Sequence, residues 1–302
     1  MVFDGIARRW CALDGDARVV IIADEAREAL ARELAGELPG RCRVERYDGS
    51  GAQMERLRAL DAGDLAVALF SMDAFLGGAR AHYSPFGKPE GVRAKYAFIR
   101  LDIGRRSLEE ALATPRAEVE AMLARMAAFG DGERLRVTGP GGTDMRLNVR
   151  PFTTCSHFID ADGGMAFLPP SETSSEVVPG SAQGVIAVDV TVGQFYFRNE
   201  LRERFGLVDG PVLMRVEEGR VVSVEGGRMA RRLGELFDEL PDECRELVEL
   251  GQGLSRMTPT GLTGVDESII DTCHFGIGDG MRSGLHLDVI IRAPRIRAER
   301  ET

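Results

Sequence analysis

Ala17-Arg18-Val19-Val20-Ile21-Ile22-Ala23-Asp24 is an unbroken, mostly apolar run of strand length. Glu25 to Leu38 follows with apolar residues at helical spacing, up to the breaker Pro39-Gly40. Cys42 to Tyr47 alternates like a second strand, and Met54 to Leu60 reads as a short helix. Asp64 to Phe70 and Tyr96 to Leu101 read as a third and a fourth strand. Strand and helix alternate with crossovers too long for hairpins, which predicts a parallel sheet covered by helices. No Gly-x-Gly-x-x-Gly follows the first strand, so a dinucleotide site is not indicated.

Phe75 to Gly91 reads as a long loop. Leu108 to Phe129 is amphipathic, starts near Ser107 with Glu109 and Glu110 in its first turn, and predicts one long helix ending at Gly130. A domain boundary is expected just after it, giving an N-terminal α/β domain over residues 1–131 and a C-terminal catalytic domain over 132–302. The second half changes character. Glu133 to Thr138, Thr143 to Val149, Gly184 to Val192, Pro211 to Glu217 and Arg220 to Val224 read as short strands separated by Gly or Asp turns. Arg228 to Leu236 and Glu243 to Leu250 read as helices, the second starting at Pro241-Asp242. The expected fold class is α/β, with a parallel-sheet N-terminal domain and a β-rich α+β C-terminal domain that binds metal.

Composition narrows the partners. The 302 residues are 44% hydrophobic and 28% charged, as in an ordinary globular enzyme. A net charge of −10 argues against nucleic acid or an anionic membrane as the main partner. Cys11, Cys42, Cys155, Cys244 and Cys273 are odd in number and lack any Cys-x-x-Cys spacing, which points away from a disulfide framework or a thiolate zinc site. The N-terminus has no apolar stretch of the kind a signal peptide carries, and a cytoplasmic protein is expected.

Chemistry concentrates near the C-terminus. Two of the four histidines, His274 and His286, lie there, and His286 opens a His-x-Asp with Asp288 that runs into an apolar strand. On a strand, residues two apart share a face, so His286 and Asp288 can reach one ion while Leu285, Leu287 and Val289 face a core. Imidazole with carboxylate suits Zn²⁺, Co²⁺, Mn²⁺ or Fe²⁺. Glu172, after Phe167-Leu168-Pro169-Pro170-Ser171, and Glu249, opening Glu249-Leu250-Gly251-Gln252-Gly253, each stand where an element gives way to a Pro- or Gly-rich turn. With His274, His286 and Asp288 they supply two histidines and three carboxylates, enough for a dinuclear site. Taken singly, the glutamates read equally as solvated surface residues and the His-x-Asp as a polar strand edge.

Several of these segments, in this order, resemble the M29 metallo-aminopeptidases. Phe167 to Glu172 with its interval to Gly184, Glu249-Leu250-Gly251, Asp266-Glu267 running to His274, His286-x-Asp288, and the turn Val137-Thr138-Gly139-Pro140-Gly141-Gly142-Thr143-Asp144 all look like family elements. The resemblance implies a site of Glu172, Glu249, His274, His286 and Asp288 holding two divalent ions, zinc or cobalt, with activated water attacking an amide or peptide carbonyl of a small substrate. It implies Glu267 or Glu176 as proton carrier, and a homodimer. His157 and Met281 are candidate substrate contacts, Met281 standing where the family places a tyrosine. The connection from His274 to His286 is shorter than in the peptidases, and no tyrosine follows Tyr196.

The same fold group includes 2,5-dihydroxypyridine 5,6-dioxygenase, which implies an alternative: one Fe(II) on a triad of His274, His286 and Asp288. That enzyme resembles this region with a histidine at the Glu249 position and no glutamate at Glu172, so the hydrolase stands ahead. A further alternative is a non-peptidase biosynthetic relative, or a metabolite-binding protein, on the same scaffold.

Overall fold

In a computed structural model that describes residues 1–299, Val19–Ala23 is buried at all five positions and has a strand on either side. The strands run Cys42–Arg46, Val19–Ala23, Leu65–Leu69, Lys95–Ile99, Met165–Leu168 across the sheet, and every pairing is parallel. The winding reverses between Val19–Ala23 and Leu65–Leu69, the place where sheets of this kind often take a ligand. Asp24 accepts hydrogen bonds from Ser71 N at 2.8 Å, Ser71 Oγ at 2.9 Å and Ala26 N at 3.1 Å, so one carboxylate ties together the chain leaving both strands.

The chain divides into two compact units, but not by a single break after residue 131. One unit is Met1–Pro115 with Cys155–Ser171; the other is Arg116–Thr154 with the chain from Glu172 onward. The long helix expected over Leu108 to Phe129 is two helices, Arg105–Ala111 and Arg116–Ala127, one in each unit. Pro115 separates them because proline lacks an N–H and disfavours helical geometry in the residue before it. The loop expected from Phe75 begins inside a short helix, Met72–Leu76, and holds a 3-10 turn at Ala79–Ala81.

The second unit is built on two antiparallel sheets. The first orders Arg220–Gly226, Val212–Glu217, Gln183–Val188, Asp144–Asn148, Arg134–Thr138 and Arg295–Ala298. The second orders Glu200–Leu207, Thr191–Phe197, Leu287–Arg292, Thr272–Ile277, Leu247–Gly253, Glu172–Glu176 and Thr153–Thr154. Val137, Met145, Ile186 and Met214 of the first share one core with Val192, Leu250, Phe275 and Val289 of the second. Each such side chain contributes about 1.5–3 kcal/mol by leaving water. The single strand expected from Gly184 to Val192 is broken at Asp189-Val190, and its halves lie in different sheets.

The helix expected from Glu243 to Leu250 is a short 3-10 turn, Asp242–Arg245, followed by the strand Leu247–Gly253. Leu247 and Leu250 are three apart and both buried, a spacing that suits a helix. The strand reaches the same result through an irregularity in register between Leu247 and Glu249, where one extra residue restores the inward face. Among the described residues no helix is long and apolar enough to cross a membrane.

Candidate metal centre

Glu249, on the strand Leu247–Gly253, is the middle of the site. Antiparallel pairing puts Glu249 opposite Gly276 on one side and opposite Glu176 on the other. Gly276 in turn pairs with Asp288, Gly251 pairs with His274, and Gly253 pairs with Glu172. Directly paired residues share a face of the sheet. Glu172, Glu249, His274 and Asp288 therefore rise from one face, each beside a glycine.

Those glycines make the room. A Cβ at Gly251 would overlap the imidazole of His274, and one at Gly276 would stand 2.8 Å from Glu249 Cβ and 2.9 Å from His286 Cε1. A glycine inside a strand weakens it unless something needs to come close. Here the side chains of the cluster do.

The donors fall into two groups that meet at Glu249. In one, His274 Nε2 is 3.1 Å from Glu172 Oε2 and 3.9 Å from Glu249 Oε1. In the other, His286 Nε2 is 3.3 Å from Glu249 Oε2 and 3.3 Å from Asp288 Oδ1. Glu172, Glu249 and His274 bring one ligand atom each within 4.8 Å of one another, as do Glu249, His286 and Asp288. Donors bound at ~2.1 Å to a common ion lie ~3–4 Å apart, so both groups have the spacing an ion requires. Among the described residues no such group contains both histidines.

The surroundings favour cation binding. The Nδ1 of His286 lies 3.0 Å from the carbonyl oxygen of Gly278, which accepts its proton and turns Nε2 towards the carboxylates. Asp288 Oδ1 and His274 Nδ1 are each buried without a hydrogen bond. An orphaned carboxylate oxygen among the donors fits a site made for positive charge.

Proton equilibria report the same field. The charge of Asp288 holds the His286 ring protonated well above its ordinary value of 6.5, against the opposing effect of burial and with help from Glu249. Burial works against the imidazolium of His274, yet Glu172 and Glu249 raise it well above 6.5 too. Burial also opposes the Glu249 carboxylate, but hydrogen bonds to both histidines bring it well below 4.5. A divalent cation competes with those protons for the same lone pairs.

The two groups differ in access. His274 is 2% exposed as a side chain and His286 40%, so the histidine of the second group is the one open to solvent. It opens into a groove of about 1550 Å³ within the second unit, lined by Glu249 and His286 along with Glu176, Val222 and Met281. Glu176 is exposed, directly across the ladder from Glu249. Met281 stands out from the wall.

The remaining expected residues lie elsewhere. Glu267 is buried at the end of the short helix Thr263–Asp266 and belongs to neither donor group. Its neighbour Asp266 is a structural carboxylate, accepting from Thr191 Oγ1 at 2.6 Å, Gly261 N at 2.8 Å and Thr260 N at 2.7 Å. His157 lies in the first unit, 3% exposed, with Nδ1 accepting from Ser171 N at 3.4 Å. The sequence reading gave Gly251 and Gly276 no part in making room for the cluster, although glycines in the middle of a strand are a visible sign of close approach.

No protein-family model matches the chain, and no curated protein matches it. Solved structures do. A 2,5-dihydroxypyridine dioxygenase from Pseudomonas putida KT2440 superimposes with a TM-score of 0.63 at 15% identity, over 98% of this chain and 92% of that one. Wild-type AmpT from Thermus thermophilus superimposes with a TM-score of 0.53 at 16% identity, over 98% and 94%. At such identities the likeness is one of fold, and it runs through both units.

Proposed function

We propose that the chain is a divalent-metal-dependent hydrolase that cleaves an amide or peptide bond of a small substrate. Glu172, Glu249 and His274 would hold one divalent ion and Glu249, His286 and Asp288 a second, zinc or cobalt. The observation that carries this reading is Glu249, whose two oxygens turn to different histidines in two donor groups. Such a pair supplies an activated water and a polarised carbonyl.

The chain's own residues do the rest. Gly278 fixes the His286 tautomer, and the glycines beside each donor let the cluster close up. Glu176, exposed in the groove across from Glu249, takes the proton released by the attacking water and delivers it to the leaving amine. The resemblance of the ordered motifs to M29 aminopeptidases supports the same chemistry.

The rival raised by fold likeness is a mononuclear iron oxygenase. It needs both histidines and one carboxylate on a single ion. His274 and His286 lie in separate groups here, which speaks for two ions. The test is to load the purified chain with Zn²⁺ or Co²⁺ and assay release of amine from a panel of aminoacyl anilides and dipeptides. In parallel, the Fe²⁺-loaded chain is assayed for O₂ uptake with hydroxylated pyridines. Metal-dependent amine release supports the hydrolase; O₂ uptake without amide cleavage overturns it.

A further inference from the structure

Met281 is 97% exposed, an unusual place for a large apolar side chain. A single exposed apolar residue on a floppy loop would mean little, but this loop is fixed. Asp279 Oδ1 accepts from Met281 N at 3.0 Å and Arg282 N at 3.2 Å, while Asp279 O accepts from Ser283 N at 2.7 Å and Ser283 Oγ at 2.9 Å. The loop also begins at Gly278, whose carbonyl receives the His286 Nδ1 proton. The same few residues that aim His286 at the donor cluster therefore hold Met281 out beside it.

Met281 is not alone. Val222, 48% exposed on the strand Arg220–Gly226, lines the same groove, as does Pro179. Methionine is unbranched and polarisable and packs against many apolar shapes. Met281 and Val222 thus line the same groove as Glu249 and His286.

Resting on the two-ion hydrolase reading, we infer that Met281 and Val222 form the substrate-selecting subsite, which takes an apolar side chain or acyl group on the residue next to the bond that is cut. Met281 acts by contact with the substrate and takes no part in holding the ions. The side chain contributes to how tightly a substrate is held, and chain length and branching in the substrate are what it reads.

The test uses binding, so that it does not depend on turnover. L-leucine hydroxamate and glycine hydroxamate, which chelate metal through the same group and differ only in the apolar side chain, are titrated into the zinc-loaded protein by calorimetry. The wild-type chain is expected to prefer the leucine compound by about tenfold or more, as filling an apolar pocket commonly gives. Met281→Ala is expected to bring that preference down to about threefold, and Val222→Ala to lower it, with glycine hydroxamate binding and zinc content unchanged. Equal affinity of the two compounds for the wild-type protein, or a preference that neither substitution moves, overturns the subsite while leaving the ions in place. Failure of glycine hydroxamate itself to bind is a different result: it removes the two-ion reading, and the subsite falls with it.

Discussion

Gly251 lies directly opposite His274 in the antiparallel ladder, and the imidazole occupies the space that any side chain at position 251 would fill. The ring is 2% exposed and has nowhere else to go. Gly251→Ala should therefore push His274 away from Glu172 and Glu249. Overpacking of this kind costs about 1–3 kcal/mol, and loss of a donor's placement lowers metal affinity about 10–100-fold. Thermal melts with and without Zn²⁺ check both. A variant that binds zinc as tightly as the wild type contradicts the placement of His274 in the cluster.

Glu176 stands across from Glu249 but in neither donor group. Glu176→Gln should retain the full complement of metal and reduce kcat on an amide substrate about 10²-fold or more, the usual contribution of a placed proton carrier. Elemental analysis and steady-state kinetics on the same preparation separate the two. Metal loss in this variant would mean that Glu176 is a ligand, and unchanged kcat would remove it from the mechanism.

Metal binding should be pH-dependent in a definite direction. In the metal-free protein the folded pKa values of His274 and His286 lie above 6.5, so their contribution to stability is fully present below 6.5 and is lost as pH rises through the raised values. Glu249, lowered below 4.5, contributes above 4.5 and ceases to as pH falls through its folded value. A cation must displace the histidine protons, so the rise in Tm on adding Zn²⁺ should be larger at about pH 8 than at about pH 6. The metal-free protein should lose stability over the same interval. A zinc-induced rise that is the same at both pH values would argue that these rings do not bind the ion.

The first unit offers a test that leaves the metal site alone. Asp64 accepts from Arg18 N at 2.9 Å, Arg18 Nε at 2.9 Å and Asp61 N at 2.9 Å, and its side chain is 7% exposed. Burial pushes its pKa up, but the bonds from Arg18 and Asp61 bring it below 3.8 overall, so its contribution is present above 3.8 and is lost as pH falls through the folded value. Asp64→Asn should lower stability by about 1–3 kcal/mol at neutral pH, with less difference from wild type in acid. Urea titration at both pH values measures this, and a pH-independent difference would show that charge is not what Asp64 contributes.

The sequence was most informative where one periodicity had one physical meaning. Val19–Ala23 and Leu65–Leu69 are legible because every residue is buried, and the parallel sheet follows from the helices between them. That His274, His286 and Asp288 fall in one cluster with the glutamates is legible because histidine is scarce here and His286 and Asp288 are two apart in sequence. What failed depended on neighbours distant in sequence. The strand Leu247–Gly253 carries helix-like spacing because of its register irregularity, and only its partners Glu172–Glu176 and Thr272–Ile277 make it a strand. Met165–Leu168 joins the parallel sheet of the first unit across an interval that belongs to the second, which no local pattern announces.

The most direct test of the central claim is the number and identity of metal ions per chain, measured by elemental analysis on protein purified without oxygen, for the wild type and for Glu249→Ala. Glu249 is the one residue common to both donor groups, so removing it weakens both sites at once. The account predicts close to two zinc or cobalt ions per wild-type chain, and loss of both in Glu249→Ala from protein that remains folded. One iron per chain, retained when Glu249 is removed, would contradict it and turn the site into a mononuclear centre.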